Sequence, residues 1–289
     1  MGEALQILVI SDGKAGHENQ SLGLAEALAR RCPAKIQTLQ LDMKKWIFFR
    51  LRAVVAKAAG LPRPHLVIAA GHATHPAAIW IARKYGARSI SLMKPSLPIS
   101  SFDLCICPEH DFIGKPVPHN VITTKGALNR VLPGKGEKLG KLFLIGGPSK
   151  THDWNAAALT AQIKKVAGDG AWQAADSRRT PEGYLSGLKK ELPTLEIFPH
   201  QQTQPGWLAG KLATLETIWV TEDSVSMIYE ALSSGAEVGV LEMPRLKPNA
   251  RVIRGLEALR AEGFFDMENP PRPLAEADRC AALLASRLS

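Results

Sequence analysis

Short apolar runs alternate along this chain with segments in which apolar residues return every three or four positions. Gln6–Ser11, Lys35–Leu41, His65–Ala70, Ser89–Met93 and Phe102–Cys107 have the length and β-branched content of strands. Asn19–Arg31, Met43–Ala59 and Pro76–Tyr85 have helical periodicity; Leu22, Leu24, Ala25 and Leu28 line one side of the first, and Gly60 and Pro62 close the second. The strands are apolar without alternation, which predicts parallel sheets covered on both faces.

The pattern pauses at Leu132–Lys141, which is rich in Gly and Lys, and residues 134–141 read as a hinge. It then resumes. Leu142–Ile145, Trp172–Asp176, Leu195–Phe198, Thr217–Thr221 and Glu237–Leu241 predict strands. Asn155–Ala167, Pro181–Glu191, Ser224–Ser233, Ala250–Ala261 and Leu274–Leu288 predict helices. The expected organisation is α/β throughout: one domain over 1–133, a second over 142–272, and a tail helix within 273–289. A chain of 289 residues is long for one core and comfortable for two.

Composition is ordinary for a globular protein, at 45% hydrophobic and 22% charged, and excludes disordered, collagenous and coiled-coil classes. The net charge of +9 favours anionic partners: nucleic acid, an anionic membrane face or phosphorylated small molecules. Nucleic acid has no module behind it, since there is no basic repeat, zinc spacing or aromatic strand signature. Cys32, Cys105, Cys107 and Cys280 form no CxxC pair, and no secretory signal precedes the first strand, so free thiols and a cytoplasmic setting are expected. No run reaches the length of a membrane span. Lys44–Arg52 mixes cations with Trp46, Phe48 and Phe49, a pattern fitting either a helix lying in a membrane interface or a core helix with charged ends.

Four strand-to-helix turns hold the candidate chemistry. Asp12, Gly13, Lys14, Gly16, His17, Glu18 and Asn19 follow the first strand, where two glycines let a backbone turn tightly against a ligand. A histidine near a helix N-terminus is biased toward its neutral form, which suits a general base and equally a helix cap. Gly146-Gly147-Pro148-Ser149-Lys150 offers small residues and one cation. Arg178, Arg179 and Thr180 precede a proline-started helix, and arginine's fork of donors suits phosphate. Ser224, Val225 and Ser226 open another helix whose unpaired N–H groups favour an anion, with Glu230 about one turn on. His72 and His75 have a two-residue spacing but no third ligand at motif spacing; they read as cleft lining, and no metal is expected.

Asp12-Gly-Lys-Ala-Gly-His-Glu-Asn-Gln-Ser21, Ser177-Arg-Arg-Thr-Pro181 and Thr221-Glu-Asp-Ser-Val-Ser-Met227 resemble the mitochondrial-fission ELM family. Its bacterial members are described as glycosyltransferases or nucleotide-sugar enzymes. That family is similar to GT-B glycosyltransferases, including the one that adds N-acetylglucosamine to lipid-linked muropeptide. The resemblance implies two Rossmann-like domains facing across a cleft, with the tail helix packed back toward the first. It implies a nucleotide-sugar on the C-terminal side: diphosphate at Gly147, Ser149, Lys150, Arg178, Arg179, Thr180 and Ser224–Ser226, ribose at Glu230. His17 becomes the base, and its turn, with His72 and His75, the acceptor side. The chain departs from the related pattern at Pro148, where small polar residues continue the loop. The implied activity is sugar transfer to a hydroxyl, lipid-linked or of the envelope, with no cofactor or metal. An epimerase or hydrolase of the same fold, and a membrane-surface adaptor, are the alternatives; oligomeric state is left open.

Overall fold

The computed structural model describes residues 4–204 and 206–288; residues 1–3, 205 and 289, which include the ends of the expected 1–133 and 273–289 spans, lie outside it. The chain forms two compact units, Met1–Arg130 with Ala275–Ser289, and Val131–Leu274.

The first unit contains β1 (Leu5–Ser11), α1 (Ala15–Ala29), β2 (Ala34–Gln40), α2 (Ile47–Ala59), β3 (Leu66–Ala70), α3 (His75–Tyr85), β4 (Arg88–Leu92), β5 (Leu104–Pro108) and β6 (Val121–Thr124). Its sheet has the order β2-β1-β3-β4-β5-β6 with every pair parallel. Successive side chains of a strand face opposite ways. Ile7 and Val9 therefore pack with Leu24 and Leu28 of α1, while Leu8 and Ile10 pack with Val54, Ala58 and Ile81 of α2 and α3. Fully burying each such aliphatic side chain contributes about 2 kcal/mol.

The second unit contains β7 (Lys141–Leu144), α4 (Ala156–Ala167), β8 (Gln173–Ala175), α5 (Tyr184–Glu191), β9 (Glu196–Phe198), α6 (Trp207–Leu212), β10 (Thr217–Thr221), α7 (Val225–Ser234), β11 (Glu237–Leu241) and α8 (Arg251–Ala261). Its parallel sheet runs β11-β10-β7-β8-β9. Phe143 and Ile145 anchor one face against Leu159, Ile163 and Leu188, and Phe143 stacks on Trp172 at 4.2 Å between ring centroids.

The last helix, α9 (Glu276–Leu288), returns to the first unit. Cys280, Ala281 and Leu284 complete the core beside α1. The Glu276 carboxylate accepts from Lys125 N at 3.1 Å, and Arg30 reaches Asp278 at 2.9 Å.

Three helices start three or more residues away from where the sequence pattern predicts. α1 begins at Ala15 rather than Asn19, because the Lys14 carbonyl already accepts from His17 N and Glu18 N, each at 3.0 Å. α2 begins at Ile47 rather than Met43; Asp42 draws the preceding residues into a turn, accepting from Lys44 N at its carboxylate and from Lys45 N at its carbonyl. α5 begins at Tyr184 rather than Pro181, since Gly183 has φ of 78° and lies outside helical geometry. β6 and α6 are elements the pattern did not predict.

Candidate functional site

In an open parallel sheet, ligand sites form beyond the carboxyl ends of the strands, where successive connections leave in opposite directions. In the first unit that point lies between β1 and β3, and in the second between β7 and β10. Each switch point carries a cluster of polar groups.

Beyond β1, Gly13 turns with φ of 77° and its N–H donates to Ser11 Oγ at 3.0 Å. Ser11 Oγ in turn donates to Glu18 at 2.8 Å, tying the strand end to α1. His17 therefore lies in the first turn of α1, with Gly16 beside it. Its Nδ1 is 3.0 and 3.1 Å from the two oxygens of Asp12, whose side chain is 1% exposed. An ionised carboxylate only accepts, so Nδ1 carries a proton toward Asp12, and in the neutral ring Nε2 holds the lone pair. Lys14 Nζ lies 3.6 Å from the same carboxylate.

The His17 ring rests on Gly71 at the end of β3. Gly71 has φ of 87°, and a Cβ there would overlap the ring. Thr74 fixes this turn by donating its hydroxyl to Gly71 O at 2.7 Å. His72 is exposed, whereas His75 at the start of α3 is buried. The His75 ring meets Phe102 edge-on at 5.2 Å, and its Nε2 is 3.4 Å from Ser91 Oγ. Burial, assisted by the nearby imidazoles of His72 and His17, pushes His75 down to about 4. The structure thus separates the two histidines: His75 is a neutral core group, while His72 stays at the surface. Among the described residues no three His, Cys, Asp or Glu side chains converge as a metal site.

Beyond β7 and β10, three loops are laced together. Gly146 N donates to Thr221 Oγ1 at 2.7 Å and Gly147 N to Asp223 at 3.0 Å. Thr180 Oγ1 lies within hydrogen-bond reach of the Ile145 and Gly146 carbonyls, at 2.9 and 2.6 Å. Gly147 passes so close to the Arg179 carbonyl that a Cβ would overlap it. Arg179 spans the loops, donating to Gly147 O at 2.8 Å and pairing with Asp223 at 2.7 Å. Arg179 is therefore largely occupied in holding the loops. Arg178 is exposed.

These loops border a hollow of about 510 Å³ lined by Ser149, Lys150, Thr151, Arg179, Asp223, Ser224, Val225, Ser226 and Val252. The hollow opens at the start of α7. The Ser224 side chain makes no capping hydrogen bond at that helix end, and an α-helix leaves its first N–H groups without intrahelical acceptors. Ser224 Oγ is 3.3 Å from Arg179 Nη2, and the Lys150 side chain is exposed at the hollow. Arg178, Thr180, Gly147 and Glu230 do not line it; Glu230 is half-buried further along α7.

The pattern of residues named the ends of β1, β3, β7, β8 and β10 but not what joins them. Asp223 as the partner of Arg179, and Gly71 as the seat of His17, are contacts between distant positions. The only signal for Gly71 was a glycine directly after an apolar strand.

Residues 15–288 match the profile of the family described as Mitochondrial fission ELM1. An uncharacterized protein of Rickettsia prowazekii is 24% identical over 97% of this chain and 98% of its own length. The UDP-GlcNAc 2-epimerase of Neisseria meningitidis, solved bound to UDP-GlcNAc, is similar in structure with a TM-score of 0.60 at 10% identity, covering 99% of each chain. MurG of Acinetobacter baumannii gives 0.52 at 11% identity over 98% of this chain and 90% of that one. At such identities the likeness is one of fold: two Rossmann-like α/β domains of the GT-B kind.

Proposed function

The chain belongs to the Mitochondrial fission ELM1 family, and from that premise we propose that it is a glycosyltransferase moving a sugar from a nucleoside-diphosphate-sugar to a hydroxyl acceptor. The observation that carries this reading is the Asp12–His17 pair. A histidine with its Nδ1 proton fixed on a buried carboxylate presents Nε2 as a base, and a hydroxyl nucleophile needs one. Fold neighbours solved with or named for a UDP-sugar support the donor class.

The second unit supplies what a departing diphosphate requires. The open start of α7, Ser224, Ser226 and Lys150 converge on one hollow. Helix-end N–H groups and a cation stabilise negative charge as it develops on a leaving group. His17 takes the acceptor's proton, the acceptor oxygen bonds the anomeric carbon, and the nucleoside diphosphate leaves with the bonding electron pair. A single displacement of this kind inverts the anomeric centre. In this reading Arg179 positions the loops, and Lys150 is the cation available to the phosphate.

A thermal-shift screen against nucleoside diphosphates and their sugars tests the donor. A ligand held only by the folded protein raises the melting temperature, and one present at 100 times its Kd adds about 2.7 kcal/mol. Lys150→Ala should shrink that shift. Transfer activity should fall by about 10²-fold or more in His17→Ala. No shift with any nucleotide would overturn the donor assignment, and undiminished transfer by His17→Ala would overturn the base. Turnover of the sugar nucleotide with no acceptor present would instead identify an epimerase or hydrolase.

A further inference from the structure

We propose that residues 43–52 form a peripheral docking surface for an anionic lipid bilayer. The helix that follows β2 divides its side chains in an unusual way. Val54, Val55 and Ala58 are buried in the core, with Leu51 packed against them. The aromatic residues at the other end contribute little to that core: Trp46 is 84% exposed, Phe48 60% and Phe49 62%. Met43 is exposed beside them. Phe48 and Phe49 meet edge-on at 5.9 Å, and Trp46 and Met43 lie within five residues of Phe48 along the chain. Exposed apolar groups this large and this close together mark an interaction site.

The charge around them selects the partner. From Met43 to Lys57 the chain carries Lys44, Lys45, Arg50, Arg52 and Lys57 and no acidic residue. The Arg52 guanidinium lies 5.9 Å from the Phe48 ring centroid, and Lys44 and Lys45 are exposed. A protein–protein interface concentrates aromatics in a core from which lysine is depleted. Here cations interleave with the aromatics, the arrangement that suits a headgroup layer with rings below and ammonium groups at phosphate level. Arg50 donates to Met43 O at 3.3 Å and to Lys45 O at 3.0 Å, so the loop is already fastened to α2 in the docking shape.

Association through this surface lies on the membrane rather than across it; among the described residues no helix is long and apolar enough to span. The surface also has a defined relation to the candidate base. Residue 40 of β2 pairs with Ser11 of β1, and Leu41 N donates to Ser11 O at 2.8 Å. The docking loop and the Asp12–His17 pair therefore leave the same carboxyl-end rim of one sheet. An acceptor carried in the bilayer surface would be delivered along that rim.

The test is cosedimentation of the full chain with vesicles of phosphatidylcholine alone or with about 30 mol % phosphatidylglycerol. Wild type should sediment with the anionic vesicles and not with the zwitterionic ones. Trp46→Ser/Phe48→Ser/Phe49→Ser and Lys44→Glu/Lys45→Glu should each weaken binding by about tenfold or more. All five side chains are exposed, so both variants should keep the wild-type melting temperature. The blue shift of tryptophan fluorescence on adding anionic vesicles should disappear in Trp46→Phe. Equal sedimentation of wild type and the triple variant overturns the proposal. So does wild type that binds no vesicle; self-association lost in the triple variant would then assign the patch to a second copy of the chain. None of these readouts depends on sugar-nucleotide chemistry.

Discussion

Asp12 grips His17 by one edge of its ring, with both carboxylate oxygens about 3 Å from Nδ1. The pair fixes a tautomer, so its disruption should show as a change of chemistry more than of fold. Asp12→Asn keeps the shape but can present its amide N–H to Nδ1, which favours the wrong tautomer. We expect kcat to fall by about 10²-fold with KM little changed, together with an altered pH profile. An equal fall in His17→Ala and in the double variant would show that the two act as one unit.

Gly71 underlies the same ring. Gly71→Ala forces a Cβ into the space of His17 and strains a backbone held at φ of 87°. We expect a stability loss of about 1–2 kcal/mol from the backbone and a loss of activity comparable to His17→Ala. Urea unfolding and steady-state rates separate the two effects. A variant with full activity would mean that the ring has another position equally fit for its work.

Arg179 and Asp223 form the clasp of the second unit. The Asp223 side chain is 0% exposed while Arg179 is 40% exposed, so solvent weakens the pair but does not release the buried charge. Arg179→Ala should cost about 2 kcal/mol in chemical denaturation, and Arg179→Lys less, because lysine keeps a charge but cannot also hold the Gly147 carbonyl. A neutral Arg179→Ala would show that the glycine loops hold their shape without it.

His75 gives the fold an acid limb. Its folded value of about 4 lies below the ordinary 6.5, so between those values the unfolded chain binds more protons. Stability therefore rises with pH through that window and is lost as pH falls from about 6.5 toward 4, by up to ~3 kcal/mol. His75→Gln cannot titrate. Its unfolding free energy should be flatter than wild type over the same range, measured by urea titration at a series of pH values. Parallel curves would place the acid sensitivity elsewhere.

The α/β class and most strands were legible because buried parallel strands are apolar throughout, a signal that survives without context. β6 was not, since Val121–Thr124 is four residues between polar loops and is a strand only because β5 offers it an edge. The start of α1 was misread because glycine suggests a turn, yet Gly16 sits in the first helical turn, where Lys14 O already has its donors. For the sites, the strand ends could be located, since a switch point follows from topology and glycine follows the strand. The roles of individual arginines could not. Arg178 and Arg179 are neighbours with the same chemistry, and what distinguishes them is Asp223, brought close by the pairing of β8 and β10 on either side of β7.

The helix that fills the first unit's core beside α1 is synthesised only after the whole of the second unit has been made. While the ribosome is still translating residues 131–274, Leu24 and Leu28 lack their cover from Cys280, Ala281 and Leu284. The N-terminal unit thus emerges first and finishes last, and the second unit can complete itself in the meantime. Damage near the C-terminus of this chain would consequently be felt as an instability of its N-terminal half.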